Sequence, residues 1–503
     1  MKNTLLPSVL VSLLLLVGCA NQTSTPISNS PNIVIIYMDD LGYGELGAYG
    51  ATELKTPNMD RLANGGLRFT QGHASSATCT PSRFALLTGM YPWKNKRAKV
   101  LPGSASLIID TTMVTIPKVL KSKGYTTGIV GKWHLGLGSG PINWNEPISP
   151  GPNELGFDSS YILAATQDRV PTVYIEDGLV VGLDPLDPIE VNYKENFDGE
   201  PTALSNPELL KLNWYDGHNN SIVNGIPRIG FMKGGEKAKW VDEDMADHFL
   251  FKAQEFVKLN KEKPFFLYYA LQQPHVPRTP HPRFVGSTTM GARGDVIVEA
   301  DWMIGEFLKT LEDEGLMENT LIIFTSDNGP VVNDGYADLS EELLGDHKPA
   351  GVLRGGKYSM FEAGTRVPFV TYWKGVISPG VSEALISQID LLNSLASLVG
   401  SEQTPTDSKN LMDTFLGKSD LERESIVLEA STKTILKKGD WVLIPPYKGP
   451  AFYKMVRIES ANSDAYQLYN IKEDVGQKND LSKQMPEKLQ EMIEEYQSAV
   501  ATK

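Results

Sequence analysis

Pro31-Asn32-Ile33-Val34-Ile35-Ile36-Tyr37-Met38-Asp39-Asp40 carries the reading that decides the fold. Residues 33–37 form an unbroken apolar run rich in β-branched side chains, the pattern of a strand covered on both faces. Comparable runs recur down the chain. Thr126 to Val130 follows a helical stretch marked by Ile116, Val119 and Leu120 and closed by Gly124. Phe265 to Ala270 follows a helical stretch from His248 to Leu259, Leu321 to Thr325 follows an amphipathic pattern from Val296 to Leu311, and Val367 to Trp373 comes later. Buried strands alternating with helices predict an α/β sandwich, a large mixed and mostly parallel sheet flanked by helices. From 141 to 237 the chain is rich in Gly, Pro, Asn and Asp, which predicts loops and short elements laid over the sheet edge or a site. After Gly400 come short β-like runs (Ser425 to Glu429, Trp441 to Ile444, Ala465 to Ile471) and a charged helix from Pro486 to Gln497. They predict a smaller C-terminal α+β subdomain with an antiparallel sheet.

Polar residues follow each buried run, and in open α/β sheets ligands gather at the carboxyl ends of the strands. Asp39 and Asp40 follow the first, Lys132 and His134 the second, His275 the third, and Asp327 and Asn328 the fourth, while Lys357 closes Arg354-Gly355-Gly356-Lys357. Singly, each has a plain structural reading: an aspartate pair caps a loop, Asp327-Asn328-Gly329 makes a turn, and a histidine beside Pro274 fills a structural niche. Together they predict one site. Asp39, Asp40, Asp327 and Asn328 form an all-oxygen set, suited to Ca²⁺ or Mg²⁺ and poorly suited to Zn²⁺. With 7 histidines in the whole chain, a multi-zinc centre is disfavoured.

Cys79 is one of 2 cysteines in 503 residues and opens Cys79-Thr80-Pro81-Ser82-Arg83. Phe84-Ala85-Leu86-Leu87-Thr88 continues as a helix starting near Pro81, where proline is tolerated. Cys79 then sits at a helix N-terminus, among free N–H groups and the positive dipole end. Arg83 lies about one turn on, within return of residue 79. A buried cysteine beside a capped helix is the structural alternative, and it leaves the C-x-P-x-R spacing unexplained.

The other cysteine belongs to the N-terminus. Lys2 precedes an apolar stretch, Leu5 to Val17, that is too short for an ordinary membrane span. It ends Leu16-Val17-Gly18-Cys19, which resembles a bacterial lipobox. The expectation is a lipoprotein signal peptide over 1–18, lipidation of Cys19, a disordered Ser/Thr/Asn/Pro tether over 19–30, a catalytic domain over 31–400 and the subdomain over 401–503. Such a chain is an exported lipoprotein, membrane-anchored in the periplasm or at the cell surface; a plain signal peptide is the alternative. Net charge is −14, which argues against nucleic-acid binding. An anionic substrate must be attracted by local cations, not by the global field.

From Pro31 to about Leu481 the chain resembles the formylglycine-dependent (type I) sulfatases, the carbohydrate sulfatase and arylsulfatase branch of the alkaline phosphatase superfamily. The likeness rests on Cys79 to Arg83 with Leu87-Thr88-Gly89, Gly131-Lys132-Trp133-His134-Leu135-Gly136, Pro274-His275, Thr325 to Gly329, Arg354 to Lys357, Glu362 to Pro368 and Gln467-Leu468-Tyr469-Asn470. It implies that a formylglycine-generating or anaerobic sulfatase-maturating enzyme oxidises Cys79 to formylglycine. One hydroxyl of its hydrate attacks sulfur and the second drives sulfate release. The resemblance also implies one Ca²⁺ per chain on Asp39, Asp40, Asp327, Asn328 and the modified Cys79. Arg83 and Lys132 would stabilise charge, His134 would assist breakdown of the sulfated intermediate, and His275 and Lys357 would hold sulfate or protonate the leaving oxygen. Segments around Asp216-Gly217-His218 and Gly345 to Pro349 resemble those of carbohydrate sulfatases and suggest a galactose or N-acetylgalactosamine 6-sulfate. Arg169, His218, Asp346 and His347 are the candidate sugar contacts, with loop stabilisation as their alternative role. Two rival readings are a phosphatase or phosphodiesterase of the same superfamily and a non-catalytic glycan-binding lipoprotein.

Overall fold

Every residue of Asn32–Met38 (β1) is buried, because a parallel strand covers each of its edges and a helical layer covers each of its faces. The computed structural model describes Met1 and residues 30–501. Apart from Met1 and Ser30, the expected leader, Cys19 and the tether lie outside the described residues. The main sheet has 10 strands. After β1 they are Leu67–Phe69 (β2), Thr126–Lys132 (β3), Ser159–Leu163 (β4), Tyr174–Glu176 (β5), Leu179–Val180 (β6), Phe265–Ala270 (β7), Thr320–Ser326 (β8), Phe369–Tyr372 (β9) and Gly380–Ser382 (β10). Their order across the sheet is β10-β2-β9-β8-β1-β7-β3-β4-β5-β6. The central run from β8 to β4 is parallel. Antiparallel partners flank it, with β9 beside β8 and β5 beside β4.

The helices of the main domain are Pro57–Gly65 (α1), Cys79–Thr88 (α2), Ile116–Lys121 (α3), Met245–Asn260 (α4), Gly291–Asp313 (α5) and Leu391–Leu398 (α6). Side chains alternate across a strand, so β1 feeds two cores. Ile33, Ile35 and Tyr37 pack with α2, α3 and α6, whereas Val34, Ile36 and Met38 pack with α1, α4 and α5. Truncating one such central side chain to alanine costs about 2–5 kcal/mol.

The C-terminal subdomain is an antiparallel sheet of Ser425–Ala430 (β11), Lys433–Lys438 (β12), Trp441–Ile444 (β13) and Gln467–Asn470 (β14) in that order. Met492 of Pro486–Ala501 (α7) packs on one face with Val427, Leu436, Leu443 and Leu468. Ile426, Leu428 and Val442 on the other face join Ala77, Met360 and Phe361 of the main domain. The Ala77 N–H donates to the Glu429 carbonyl at 2.7 Å, and the Glu429 N–H to Ser75 at 3.1 Å. The subdomain is therefore stitched to the residues just ahead of Cys79.

The sandwich and the subdomain match the sequence reading. Five strands of the main sheet were not read as strands: β2 and β10 at one edge, and β4, β5 and β6 at the other, within the stretch expected to hold loops and short elements over the sheet edge or a site. Elements of two to five residues are too short to show a period. The helix α5 also begins earlier than its apolar pattern, because its first turns bury polar residues. Asp295 accepts from the Thr288 N–H and Asp301 from the Met59 N–H, each at 2.8 Å. Among the described residues no helix is long and apolar enough to cross a membrane.

Candidate active site

The parallel register brings the carboxyl ends of β7, β1 and β8 together. The Asp39 N–H donates to the Gln273 carbonyl and the Asp327 N–H to the Met38 carbonyl, both at 3.1 Å. Asp39, Asp40, Asp327 and Asn328 are wholly buried there. Asp40 leaves the strand with φ of +64° and His134 leaves β3 with φ of +55°. Such left-handed backbone costs a non-glycine residue about 1–3 kcal/mol and persists only where the surroundings impose it. Gly131 and Gly329 permit the crowding. A Cβ on Gly131 would lie 1.8 Å from the Ala270 carbonyl oxygen, and one on Gly329 would lie 1.6 Å from that of Ala363.

Cys79 is the first residue of α2, a helix whose ten residues are all buried. Its Sγ lies 3.3 Å from His134 Nδ1. The other ring nitrogen, Nε2, is 2.9 Å from the Leu101 carbonyl. A carbonyl only accepts, so Nε2 carries the proton and Nδ1 turns its lone pair toward residue 79. Thr80 Oγ1 donates to the His134 carbonyl at 2.9 Å, tying the two elements. Burial, reinforced by the charges of Lys132 and Arg169, holds His134 well below the usual histidine range. It is a neutral base. Burial pushes the Cys79 thiol up, with Lys132 opposing, so the unmodified residue is a poor thiolate nucleophile.

Arg83 does not turn back to residue 79 as expected. Its Nε and Nη2 donate to Asp327 Oδ2 at 3.0 and 2.8 Å, its Nη1 donates to the Lys132 carbonyl at 3.1 Å, and its guanidinium stacks 5.2 Å from the Tyr37 ring centroid. A buried carboxylate offers a paired, charge-assisted contact that the sulfur cannot. Lys132 donates to Asp39 Oδ2. Lys357 donates to Asp40 Oδ2 at 2.9 Å and to Asp334 Oδ2 at 3.0 Å. His275 Nδ1 donates to the Val276 carbonyl at 2.7 Å, leaving Nε2 at 3.9 Å from Asp40 Oδ2.

Asp39, Asp40, Asp327 and Asp334 thus face Arg83, Lys132 and Lys357, four carboxylates against three cations. The shortfall shows in the carboxyls. Burial, then the Asp327 charge, pushes Asp39 well up, and burial pushes Asp40 up against the pull of Lys357. Asp39 Oδ1 and Asn328 Oδ1 are buried with no hydrogen-bond partner. Donor atoms of Asp39, Asp40 and His275 lie within 4.8 Å of one another. Unpaired hard oxygens and uncompensated negative charge fit a divalent cation.

The structure thus gathers Asp39, Asp40, Cys79, Arg83, Lys132, His134, His275, Asp327, Asn328 and Lys357 at one sheet edge. Arg169 and His218 meet over Asp168: Arg169 Nη1 is 3.0 Å from Oδ1, and His218 Nε2 is 3.0 Å from Oδ2. The His134 N–H donates to the Ala164 carbonyl at 3.2 Å, so the segment that carries Asp168 and Arg169 leaves β4 next to His134. Asp346 and His347 do not join. His347 Nε2 lies 3.8 Å from Glu45 Oε1, and both residues line a cavity of about 770 Å³ with Tyr43, Tyr49 and Lys348. None of these is a member of the Cys79 cluster. The sequence reading did not name Asp334 or Asp168. Asp168 adjoins Arg169, but Asp334, in Asn333-Asp334-Gly335, reads as an ordinary turn.

A family profile described as Sulfatase matches residues 31–401. The chain is 49% identical over 508 residues to an N-acetylgalactosamine-6-O-sulfatase of Bacteroides thetaiotaomicron, covering 99% of both chains. It is 33% identical over 404 residues to human arylsulfatase A, covering 80% of this chain and 70% of the relative. A solved structure concerned with the metabolism of multiple glycosaminoglycans by Bacteroides thetaiotaomicron superposes with a TM-score of 0.93 at 49% identity, covering 94% of this chain and 99% of the other. With its sheet-edge cluster intact and its length shared end to end with such a relative, the chain belongs to the sulfatase family and is a sulfuric ester hydrolase.

Proposed function

We propose that this sulfatase removes the 6-sulfate of N-acetylgalactosamine or galactose in a sulfated glycan. The observation that carries the reading is the 49% identity, over 99% of both chains, to a relative named for N-acetylgalactosamine 6-sulfate. The Arg169–Asp168–His218 group supports it. In the segment that leaves β4 next to His134, it offers a fixed array of hydrogen-bonding groups of the kind that orients a sugar hydroxyl.

Asp39, Asp40, Asp327 and Asn328 would hold one Ca²⁺, which when bound polarises sulfate oxygens and supplies the missing positive charge. Residue 79, matured to formylglycine, would supply a hydrated aldehyde with one hydroxyl for attack on sulfur and a second whose loss of a proton expels sulfate. The chain's own groups divide the remaining work. His134 holds its Nδ1 lone pair at residue 79 and accepts a proton there. Lys132 and Arg83 set positive charge at the base of the site. Lys357, buried beside Asp40, is the donor available to sulfate and to the departing sugar oxygen, whereas His275, whose Nδ1 proton goes to the Val276 carbonyl, keeps an Nε2 lone pair near Asp40 and would have to take up a proton there before donating it. Asn328 after Asp327, where a metal-binding histidine would suit a two-zinc phosphatase, supports one hard cation and a sulfate ester.

Maturation by a formylglycine-generating or anaerobic sulfatase-maturating enzyme reading Cys79 to Arg83, and anchoring through a lipid on Cys19, belong to the same proposal. Mass spectrometry of the natively expressed protein tests both, with an aldehyde at 79 and a diacylglyceryl group at 19 expected. For the substrate, the matured enzyme is assayed on 6-sulfated N-acetylgalactosamine, galactose and N-acetylglucosamine, on 4-sulfated N-acetylgalactosamine and on a phosphate monoester. Preference for the first two supports the reading. Preference for the phosphate ester, or turnover of aryl sulfates alone, overturns it.

A further inference from the structure

The C-terminal subdomain sends one hairpin to the loop that carries Lys357. Phe452–Tyr453 pairs antiparallel with Ile458–Glu459. This hairpin is fixed at both ends of its reach. Ser359 Oγ donates to the Glu459 carbonyl at 2.6 Å, the Met360 N–H donates to Ser460 at 3.2 Å, and Arg354 Nε donates to Glu459 Oε2 at 2.6 Å. Residues 354–360 are the loop that carries Lys357. On the far side, Tyr215 Oη donates to the Met455 carbonyl at 3.0 Å, and Tyr215 is three residues from His218. The hairpin thus bridges the lysine loop and the segment that supplies the Asp168 partner.

Its turn exposes carbon to water. Phe452 and Met455 are 45% and 43% exposed, and with Tyr453 and Tyr358 they line a hollow of about 490 Å³. Volumes of this order hold small ligands. Tyr358 ties the hollow to the loop that carries Lys357. It follows Lys357, whose ammonium lies 5.5 Å from the Tyr358 ring centroid. The Tyr358 N–H is held by the Ala77 carbonyl at 2.8 Å, two residues before Cys79. One residue therefore adjoins both the Lys357 ammonium and the apolar hollow.

We propose that this hollow is a subsite for the sugar ring linked to the sulfated residue, holding the ring's C–H face against Phe452 and Tyr453. The inference rests on the glycan reading above. A pyranose presents C–H groups on one face and hydroxyls at its rim, so an aromatic wall with an open, wet margin suits it, as aromatic side chains suit contacts that are apolar at one end and wet at the other. The anionic 6-sulfate goes to the cations of the centre, and the uncharged ring face goes to the hairpin. A second copy of the chain is the competing occupant.

The test compares kcat and KM of the matured wild type, Phe452→Ala, Tyr453→Ala and Phe452→Tyr on 6-sulfated N-acetylgalactosamine and on a disaccharide carrying the same sulfated residue. The alanine variants are expected to raise KM for the disaccharide roughly five- to tenfold. They should leave its kcat and both monosaccharide constants near wild type, and Phe452→Tyr should restore binding. The unchanged monosaccharide rate confirms that the variants fold. Equal effects on both substrates, or none on either, would overturn the subsite. A concentration-dependent dimer abolished by Phe452→Ala with disaccharide kinetics intact would assign the patch to self-association. If the wild type hydrolyses aryl sulfate but neither saccharide, the glycan reading itself fails and this inference with it.

Discussion

His134 Nδ1 stands 3.3 Å from Cys79 Sγ, and its other ring nitrogen is locked to the Leu101 carbonyl at 2.9 Å. The proton position follows from that pair of contacts, so the base faces residue 79 before any substrate arrives. Replacing His134 with alanine removes the proton acceptor and leaves the cations that bind sulfate in place. In the matured enzyme kcat should fall about 10²–10⁴-fold. Pre-steady-state assays should show about one equivalent of desulfated product per site before turnover stalls. A variant that loses the burst together with the steady-state rate would place His134 in attack or in folding instead.

Arg83 makes a paired contact to Asp327, reaches the Lys132 carbonyl and stacks on Tyr37. Lysine offers one point of charge and no planar fork. Arg83→Lys should therefore lose at least about 100-fold in kcat/KM even when every chain carries the aldehyde at position 79. Mass spectrometry of the Cys79 peptide separates this from failed maturation. A fully matured Arg83→Lys enzyme with wild-type kinetics would show that position 83 matters only as a recognition signal.

Much of this was legible in the sequence. Strands buried on both faces read as unbroken apolar runs, so β1, β3, β7 and β8 stood out, and the polar residues following them had to share an edge. What stayed hidden was of two kinds. Strands such as β5 and β6 are too short to carry a period, and their pairing comes from the sheet they join. Partner choice is equally non-local. Nothing near Arg83 foretells a carboxylate 244 residues away, and nothing near Lys357 marks Asp334 as its second partner. The resemblance named the reacting groups and Asp39, Asp40 and Asp327 but not Asp334 or Asp168, and Asp346 and His347, which it suggested as sugar contacts, line a separate cavity.

Asp39 Oδ1 and Asn328 Oδ1 are buried without a hydrogen-bond partner, in a cluster one positive charge short. A cation bound there should stabilise the fold as well as serve the reaction. Removal by EGTA should abolish sulfate release and lower the Tm. Added Ca²⁺ should restore both, in proportion to occupancy, with about 2.7 kcal/mol regained at a hundredfold excess over Kd. Asn328→Ala should weaken Ca²⁺ binding and shrink the Tm rise. A Tm indifferent to EGTA and Ca²⁺ would count against a resident metal.

Glu362 joins the two parts of the molecule. Lys437 of β12 donates to its two oxygens at 3.2 and 3.3 Å, Arg366 Nη1 lies at 3.3 Å, and His73 Nε2 lies at 3.9 Å. Burial alone would raise the carboxyl, but Lys437, then His73 and Arg366, hold it at about 2. Burial lowers Lys437 to about 8 against the opposing pull of Glu362. A carboxyl lowered by folding contributes stability above its unfolded value, near 4.3, and loses it as pH falls through the folded value. Glu362→Gln leaves a buried ammonium short of its counter-charge and should cost about 3–5 kcal/mol at pH 7. Below about pH 4.3 the wild type surrenders the same carboxylate, so the gap between the two proteins should narrow as the pH falls toward about 2. The lowered Lys437 has the same slope in a higher window. Between about pH 8 and its unfolded value near 10.4 the unfolded chain binds more protons, so wild-type stability should rise with pH in that window. Denaturant melts of both proteins at pH 3, 7 and 9 read all three effects. A gap as wide at pH 3 as at pH 7 would show that Glu362 holds the subdomain by packing and not by its charge.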